Sequence, residues 1–253
     1  MDAGQEWPHL QNAPITEALI DIRVQLPQGT VLSHLAEFRD QVADRYPGCR
    51  ERRRFHGKLS FKASDPPVVD VAEEAPDGYL MTSADGRQVV QARLDGFTFS
   101  RLRPYETWEH LRSQAKSLWR IYRQALRPVR VVRIAVRYIN RIEIPVPVGD
   151  LKEWILTGPE LAPGLPQSMA GYFFRFHLPF EQPRGFVNVI QKIDLEPTDP
   201  PDCVSLIFDV DAFLPLEKDP SNDEMWVLFE NLRLIKNRVF FDSTTSKTLE
   251  LFR

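Results

Sequence analysis

Val129-Arg-Val-Val-Arg-Ile-Ala-Val-Arg-Tyr-Ile-Asn-Arg-Ile-Glu-Ile144 lies at the middle of the chain, and the architecture follows from it. It holds no glycine or proline and is rich in β-branched residues, which reads as one long strand. Side chains on a strand alternate between faces. Val132, Ile134, Val136 and Tyr138 therefore point one way, and Arg133, Arg137 and Arg141 the other. One face is made for a core; the other carries a comb of guanidiniums.

Upstream of this strand, a helix is predicted from about Thr107. Its Leu111, Ala115, Leu118, Trp119, Tyr122, Ala125 and Leu126 fall on one stripe, and Pro128 ends it. Before it come three short strands, Tyr79–Ser83, Gln88–Leu94 and Phe97–Leu102, divided by the hairpin dipeptides Asp85-Gly86 and Asp95-Gly96. Near the start, Ala18, Ile20, Ile22 and Val24 alternate with Glu17, Asp21 and Arg23 over Ile15–Gln25, a half-buried strand. Thr30 is placed to cap a helix with Val31, Leu35, Phe38, Val42 and Tyr46 on one face, stopped by Pro47-Gly48. Phe55, Gly57, Leu59 and Phe61 then alternate with Arg54, His56, Lys58, Ser60 and Lys62, giving a second strand with a second basic comb. The acidic, proline-bearing stretch from Asp65 to Asp77 is expected to be a loop.

Downstream the order returns. Asp150 and Glu153 form a capping-box pattern opening a short helix over Asp150–Leu156. Prolines 159, 163 and 166 mark a loop. Strands are expected at Gly171–Leu178, Phe186–Leu195 and Cys203–Val210. A closing helix opens at Ser221 with a second capping box, Ser221 and Glu224, and a stripe of Met225, Leu228, Phe229, Leu232, Ile235 and Val239. Each half thus reads strand, helix, antiparallel strands, long helix. The expected fold is α+β, two tandem pseudo-repeats (14–128 and 129–253) behind an N-terminal tail (1–13), forming one integrated unit. In it a curved antiparallel sheet carries its helices on one face. An ordinary α+β alternation gives the same order, and the halves do not align letter for letter. The element order resembles the TATA-binding-protein-like and helix-grip folds, an analogy of topology that carries no function with it.

The chain's 253 residues, 43% apolar and 26% charged, suffice for an ample core. Its net charge of −3 argues against a generally basic nucleic-acid coat. The charge is nevertheless uneven. Residues 101–141 hold 11 Lys+Arg against Glu106 and Glu109, a local +9 that leaves −12 for the rest. No apolar run reaches the roughly 20 residues of a membrane span. Met1 to Pro14 has no secretory pattern, so a soluble cytoplasmic protein is expected. Cys49 and Cys203 offer no disulfide framework and are expected to be small buried hydrophobes.

Four stretches carry a family resemblance: Asn12-Ala-Pro-Ile-Thr-Glu-Ala18, Leu102-Arg-Pro-Tyr-Glu-Thr-Trp108, Arg133-Ile-Ala-Val-Arg-Tyr-Ile-Asn140, and Asn231 to Phe241. In residues and spacing they resemble a sporadically distributed family of uncharacterised prokaryotic proteins of about this length. The resemblance spans nearly the whole chain. It implies no activity, cofactor or catalytic residue. The family's patchy distribution implies a mobile, defence or toxin–antitoxin context.

Chemistry is sparse in the sequence itself. Phosphate-loop, dinucleotide, nucleophile-elbow and zinc-protease motifs are missing, and His9, His34, His56, His110 and His177 are scattered, so no cofactor is expected. Asp209 and Asp211, two apart on a strand, point the same way and are weak metal candidates, with turn-making near a strand end as the plainer reading. The binding candidates are the combs, Arg54, His56 and Lys58 with Arg133, Arg137 and Arg141. Three outcomes compete for them: pairing with acids on neighbouring strands, Glu17 and Asp21 first; an acidic segment of a partner protein; or nucleic-acid or nucleotide phosphates. The leading expectation is a non-catalytic binding or regulatory module acting on a partner protein or a second copy. A nucleic-acid or nucleotide binder is the alternative, and a metal-dependent hydrolase the weakest.

Overall fold

The computed structural model describes residues 7–60, 68–167, 169–194 and 202–253; for 54–60, 68–75 and 194 it describes the backbone alone. In chain order the elements are β1 (Ile15–Gln25), α1 (Leu35–Val42), β2 (Gly48–Ser60), β3 (Val68–Thr82), β4 (Gln88–Arg93), β5 (Gly96–Leu102), α2 (Trp108–Leu126), β6 (Arg130–Pro145), β7 (Gly171–Glu181), β8 (Arg184–Asp194), β9 (Cys203–Pro215), α3 (Asn222–Ser243) and α4 (Ser246–Glu250). The fold is α+β. All nine strands belong to one antiparallel sheet ordered β2-β3-β4-β5-β1-β6-β9-β8-β7. No helix among the described residues is long and apolar enough to cross a membrane.

β1 and β6 meet at the centre, with Ile20 opposite Val136 and Ile22 opposite Ile134. On either flank the register continues the same apolar face, through Phe97 and Phe99 on β5 and Val210 and Ala212 on β9. The helices pack there. Phe38 of α1 and Trp119 of α2 both touch Phe97, and Phe240 of α3 stacks on Phe208. The 3.6-residue stripe of α2 is buried as its spacing demands. Thr107 caps it by accepting from the His110 N–H at 3.1 Å, and the left-handed Arg127 closes it ahead of Pro128. Ser221 and Glu224 form the reciprocal capping box of α3. At the β4–β5 hairpin, Gly96 has φ +155° and lies so close to β1 that a Cβ there would sit 2.3 Å from the Ile22 carbonyl oxygen. Only glycine meets both conditions.

Several expectations are corrected. The stretch from Asp65 to Asp77 is not all loop, because β3 begins at Val68 and pairs with β2 down to Ser60. Val68, Val69 and Val71 supply strand propensity there, and Pro76 lies where the register shifts, a place that tolerates proline. Thr30 does not cap α1. Its hydroxyl donates to the Pro27 carbonyl at 2.7 Å, and a single 3-10 turn (Leu32–His34) intervenes, with Val31 exposed. The Asp150–Leu156 helix shrinks to a 3-10 turn over Leu151–Glu153; Asp150 accepts from the Lys152 N–H, and Glu153 pairs with Lys247 at 2.6 Å instead of closing the box. Cys49 is exposed on the outermost strand and Cys203 is half-buried. Residues 7–13 are docked: Trp7 stacks on Phe241, and the Asn12 N–H donates to the Phe252 carbonyl at 3.0 Å.

Candidate functional site

The face away from the helices carries the predicted arginine comb, and its neighbours are now fixed by register. Asp211 of β9 stands opposite Arg137, and Asp209 opposite Ile139. Both aspartates lie in the interior of β9, so the turn-making reading is wrong. Their partners are guanidiniums. Arg137 clamps Asp209 through Nε (2.8 Å) and Nη2, and Arg133 reaches Asp211 at 3.1 Å. A cation seated between Asp209 and Asp211 would have to displace two arginines, which leaves that pair nothing to offer a metal.

Arg133 also reaches Asp21 of β1 at 3.3 Å, as the sequence anticipated, and lies over the Phe213 ring at 4.4 Å. Glu17 forms no ion pair with the comb among the described residues: its register partner is Ile139, and it acts on Arg137 through its charge alone, as a minor contribution to the raised guanidinium pKa. Arg141 pairs with Glu143 on its own strand and donates to the Ser205 hydroxyl at 3.1 Å.

Asp21 is the hub of the belt. It is 6% exposed and accepts from Arg93 (2.7 Å), the Thr98 hydroxyl (2.7 Å), Arg23 (3.1 Å) and Arg133. Burial by itself raises its carboxyl pKa; Arg93, Arg23 and Thr98 outweigh that and hold it below the usual carboxylate range. Arg93 and Arg23 both also bind Asp95. On the other side the chain of contacts runs from Asp211 to Asn188 (3.2 Å), and from Asn188 to Arg175 (2.8 Å) and His177 (3.0 Å). His177 stacks on Phe186, which stacks on Phe213. Asp21, Asp95, Asp209, Asp211 and Glu143 thus match Arg23, Arg93, Arg133, Arg137 and Arg141 one for one. The comb is a charge-balanced belt.

Sequence reading missed Arg23, Arg93 and Asp95 as members of it. The available signal was Asp21-x-Arg23, opposite charges two apart on one face of a strand, and Arg93 followed two residues on by Asp95 in the β4–β5 turn. The other comb lies elsewhere. Arg54, His56 and Lys58 are on β2, an outer strand separated from β6 by β3, β4, β5 and β1, so the two combs do not make one patch. The β2 residues' side chains lie outside the described ones.

At the opposite end, β7 is the last strand of the sheet and, among the described residues, pairs with β8 alone. Phe176 stands opposite the buried Val189, so Tyr172, Phe174, Phe176, Leu178 and Phe180 share the helix-side face. α3 lies over β6, β8 and β9. Phe176 and Leu178 are consequently 38% and 40% exposed, and Phe173, on the opposite face, is 66% exposed. No family model matches this chain, and no curated protein matches its sequence.

Proposed function

We propose that this protein is a non-catalytic binding module that works by extending its sheet at β7, and that the strand it takes up is β7 of a second copy. The observation that carries the reading is the bare aromatic edge. Eleven residues of strand end the sheet with an apolar stripe that leaves Phe176 and Leu178 exposed at its middle, the feature that natural edges otherwise suppress. The stripe is also self-complementary. In an antiparallel pair centred on Phe176, Phe174 meets Leu178 and Tyr172 meets Phe180, as a two-fold interface requires. Pro179 offers that pairing no N–H in either copy, and the aromatic contacts offset the loss.

Sedimentation equilibrium tests this. The wild-type chain should dimerise, and Phe176→Lys, which sets like charges opposite each other at the dyad, should weaken dimerisation at least tenfold. Its thermal stability should barely change, since surface substitutions stay within about 0.5 kcal/mol. A wild-type chain that is monomeric at millimolar concentration sinks the two-copy reading and leaves β7 for a different partner strand.

The nucleic-acid alternative draws little support from the belt, whose arginines already have carboxylates. Reactions at Asp209 and Asp211 draw as little. The resemblance to the prokaryotic family, with its mobile or defence-type context, belongs to this proposal as well.

The same proposal includes the duplication. β1 pairs with the last strand of the β2–β5 meander, and β6 with the last strand of the β7–β9 meander. Each meander is followed by a long helix, and the halves abut at β1 and β6. Superposing 14–128 on 129–253 should lay α2 on α3, and β3, β4 and β5 on β7, β8 and β9, after a near two-fold rotation. Different paths for the two meanders would refute it.

A further inference from the structure

On the helix side of the sheet, a cavity of about 370 Å³ opens where the N-terminal stretch, the segment before α2, β6 and α3 meet. Each of the four stretches quoted for the family resemblance reaches it; Pro14, Tyr105, Tyr138 and Lys236 come from them in turn. Its walls are aromatic, from Trp7, Trp108 and Phe241 among others. Tyr105 packs edge-on against Tyr138, and their hydroxyls are hydrogen-bonded at 2.8 Å. Burial holds the Tyr105 phenol up at about 12, so it remains a neutral O–H at physiological pH.

The charges around the cavity are accounted for except at one atom. Glu106 is paired with Arg101 and His110. Glu109 lies 3.9 Å from Arg233, which also pairs with Glu230 at 3.6 Å and lies over the Trp108 ring. Lys236 Nζ sits 3.8 Å from the centre of the Tyr138 ring, and among the described residues no carboxylate or carbonyl accepts from it. A π face attracts an ammonium but does not neutralise it. Burial first, and then Arg233, push the Lys236 ammonium down to about 7.

A cation without a counter-ion, a few polar groups and aromatic walls within this volume make a ligand site that lacks its anion. We propose that the cavity binds a small organic monocarboxylate, its carboxylate on Lys236 and its apolar body against the aromatic walls. A phosphate dianion suits the site less well, since it brings no apolar body and calls for more donors than one amine.

The site stands apart from β7, so its test does not depend on the dimer. Titrating the full-length protein calorimetrically with sodium benzoate, and with benzamide as the neutral isostere, reads it directly. Benzoate should bind at pH 6 at least tenfold more tightly than benzamide. Its affinity should fall at least tenfold from pH 6 to pH 9, because the amine loses its charge as pH rises through about 7. His9, Glu106, Glu109, Arg233 and the two tyrosines also line the cavity, and His110 pairs with Glu106 beside it, so a variant must assign the effect to Lys236. Lys236→Arg should keep benzoate binding and lose the pH dependence; Lys236→Met should lose at least tenfold in affinity at pH 6. Absent benzoate binding, equal binding of benzamide, unchanged affinity in Lys236→Met, or a pH dependence that survives in Lys236→Arg each overturns the proposal. If Lys236→Met fails to fold, the pH profiles of wild type and Lys236→Arg decide it.

Discussion

Replacing Asp21 with alanine should cost about 3–5 kcal/mol of folding stability, the range found when one member of a buried ion pair is removed. The cost arises from what is left behind. Arg93, whose side chain is 3% exposed, would keep only Asp95 and the Thr98 hydroxyl as partners and lose its closest buried carboxylate. Arg133 and Arg23 would each lose one of two acids. If desolvation of Arg93 is the main term, a combined Asp21→Leu and Arg93→Met variant should recover at least half of the loss, since two apolar side chains strand no charge. Chemical denaturation of the single and combined variants checks both statements. A loss below about 1 kcal/mol for Asp21→Ala would mean that the belt is surface decoration. The pH dependence has a definite sign. A carboxyl held below its unfolded value contributes fully above about pH 4 and loses that contribution as pH falls through the lower folded value. The Asp21→Ala variant should therefore lack this part of the acid transition.

The second large effect lies beneath the helices. Trp119 is 2% exposed, stacks on Tyr122 with ring centres 5.5 Å apart, and leans on Phe97 at 6.1 Å. Tyr122 in turn donates to the Arg93 carbonyl at 2.7 Å, so this aromatic cluster backs the strand that carries the hub's main cation. Trp119→Ala should cost about 3–5 kcal/mol, as truncating a buried aromatic does. Trp119→Phe should cost less than half as much. It keeps most of the ring area, and it removes an indole N–H that has no acceptor among the described residues. Equal losses for the two substitutions would show that the cluster depends on the indole in some other way.

How far the sequence foretells all this differs by element. The period-2 alternation of Ile15–Gln25 marks β1 from end to end, and the Ser221–Glu224 pair marks the start of α3, because in both places local chemistry and tertiary burial agree. The arginine comb was legible as a face but not as a balanced one. Balance depends on β9 lying beside β6, a non-local pairing that no spacing along the chain encodes. Arg101 shows the same limit. Alternation puts it with Phe97 and Phe99 on the helix-side face but does not say that Glu106, beyond the end of β5, meets its buried guanidinium there. Lys236 left a fainter trace. It lies four residues after Leu232 and three before Val239, within the stripe that α3 buries, and a lysine in such a stripe points to a special environment. The β2–β3 hairpin was hidden by composition, since acids and prolines spoke for a loop where the register makes a strand.

The central claim is that β7 is a working edge. Hydrogen exchange of the amides in Gly171–Glu181, followed as a function of protein concentration, tests it most directly. The N–H groups of β7 that point away from β8 should exchange freely in dilute protein. They should gain protection as concentration rises, and Phe176→Lys should abolish that gain. Outward amides that exchange at one unprotected rate at every concentration, in wild type and variant alike, would contradict it.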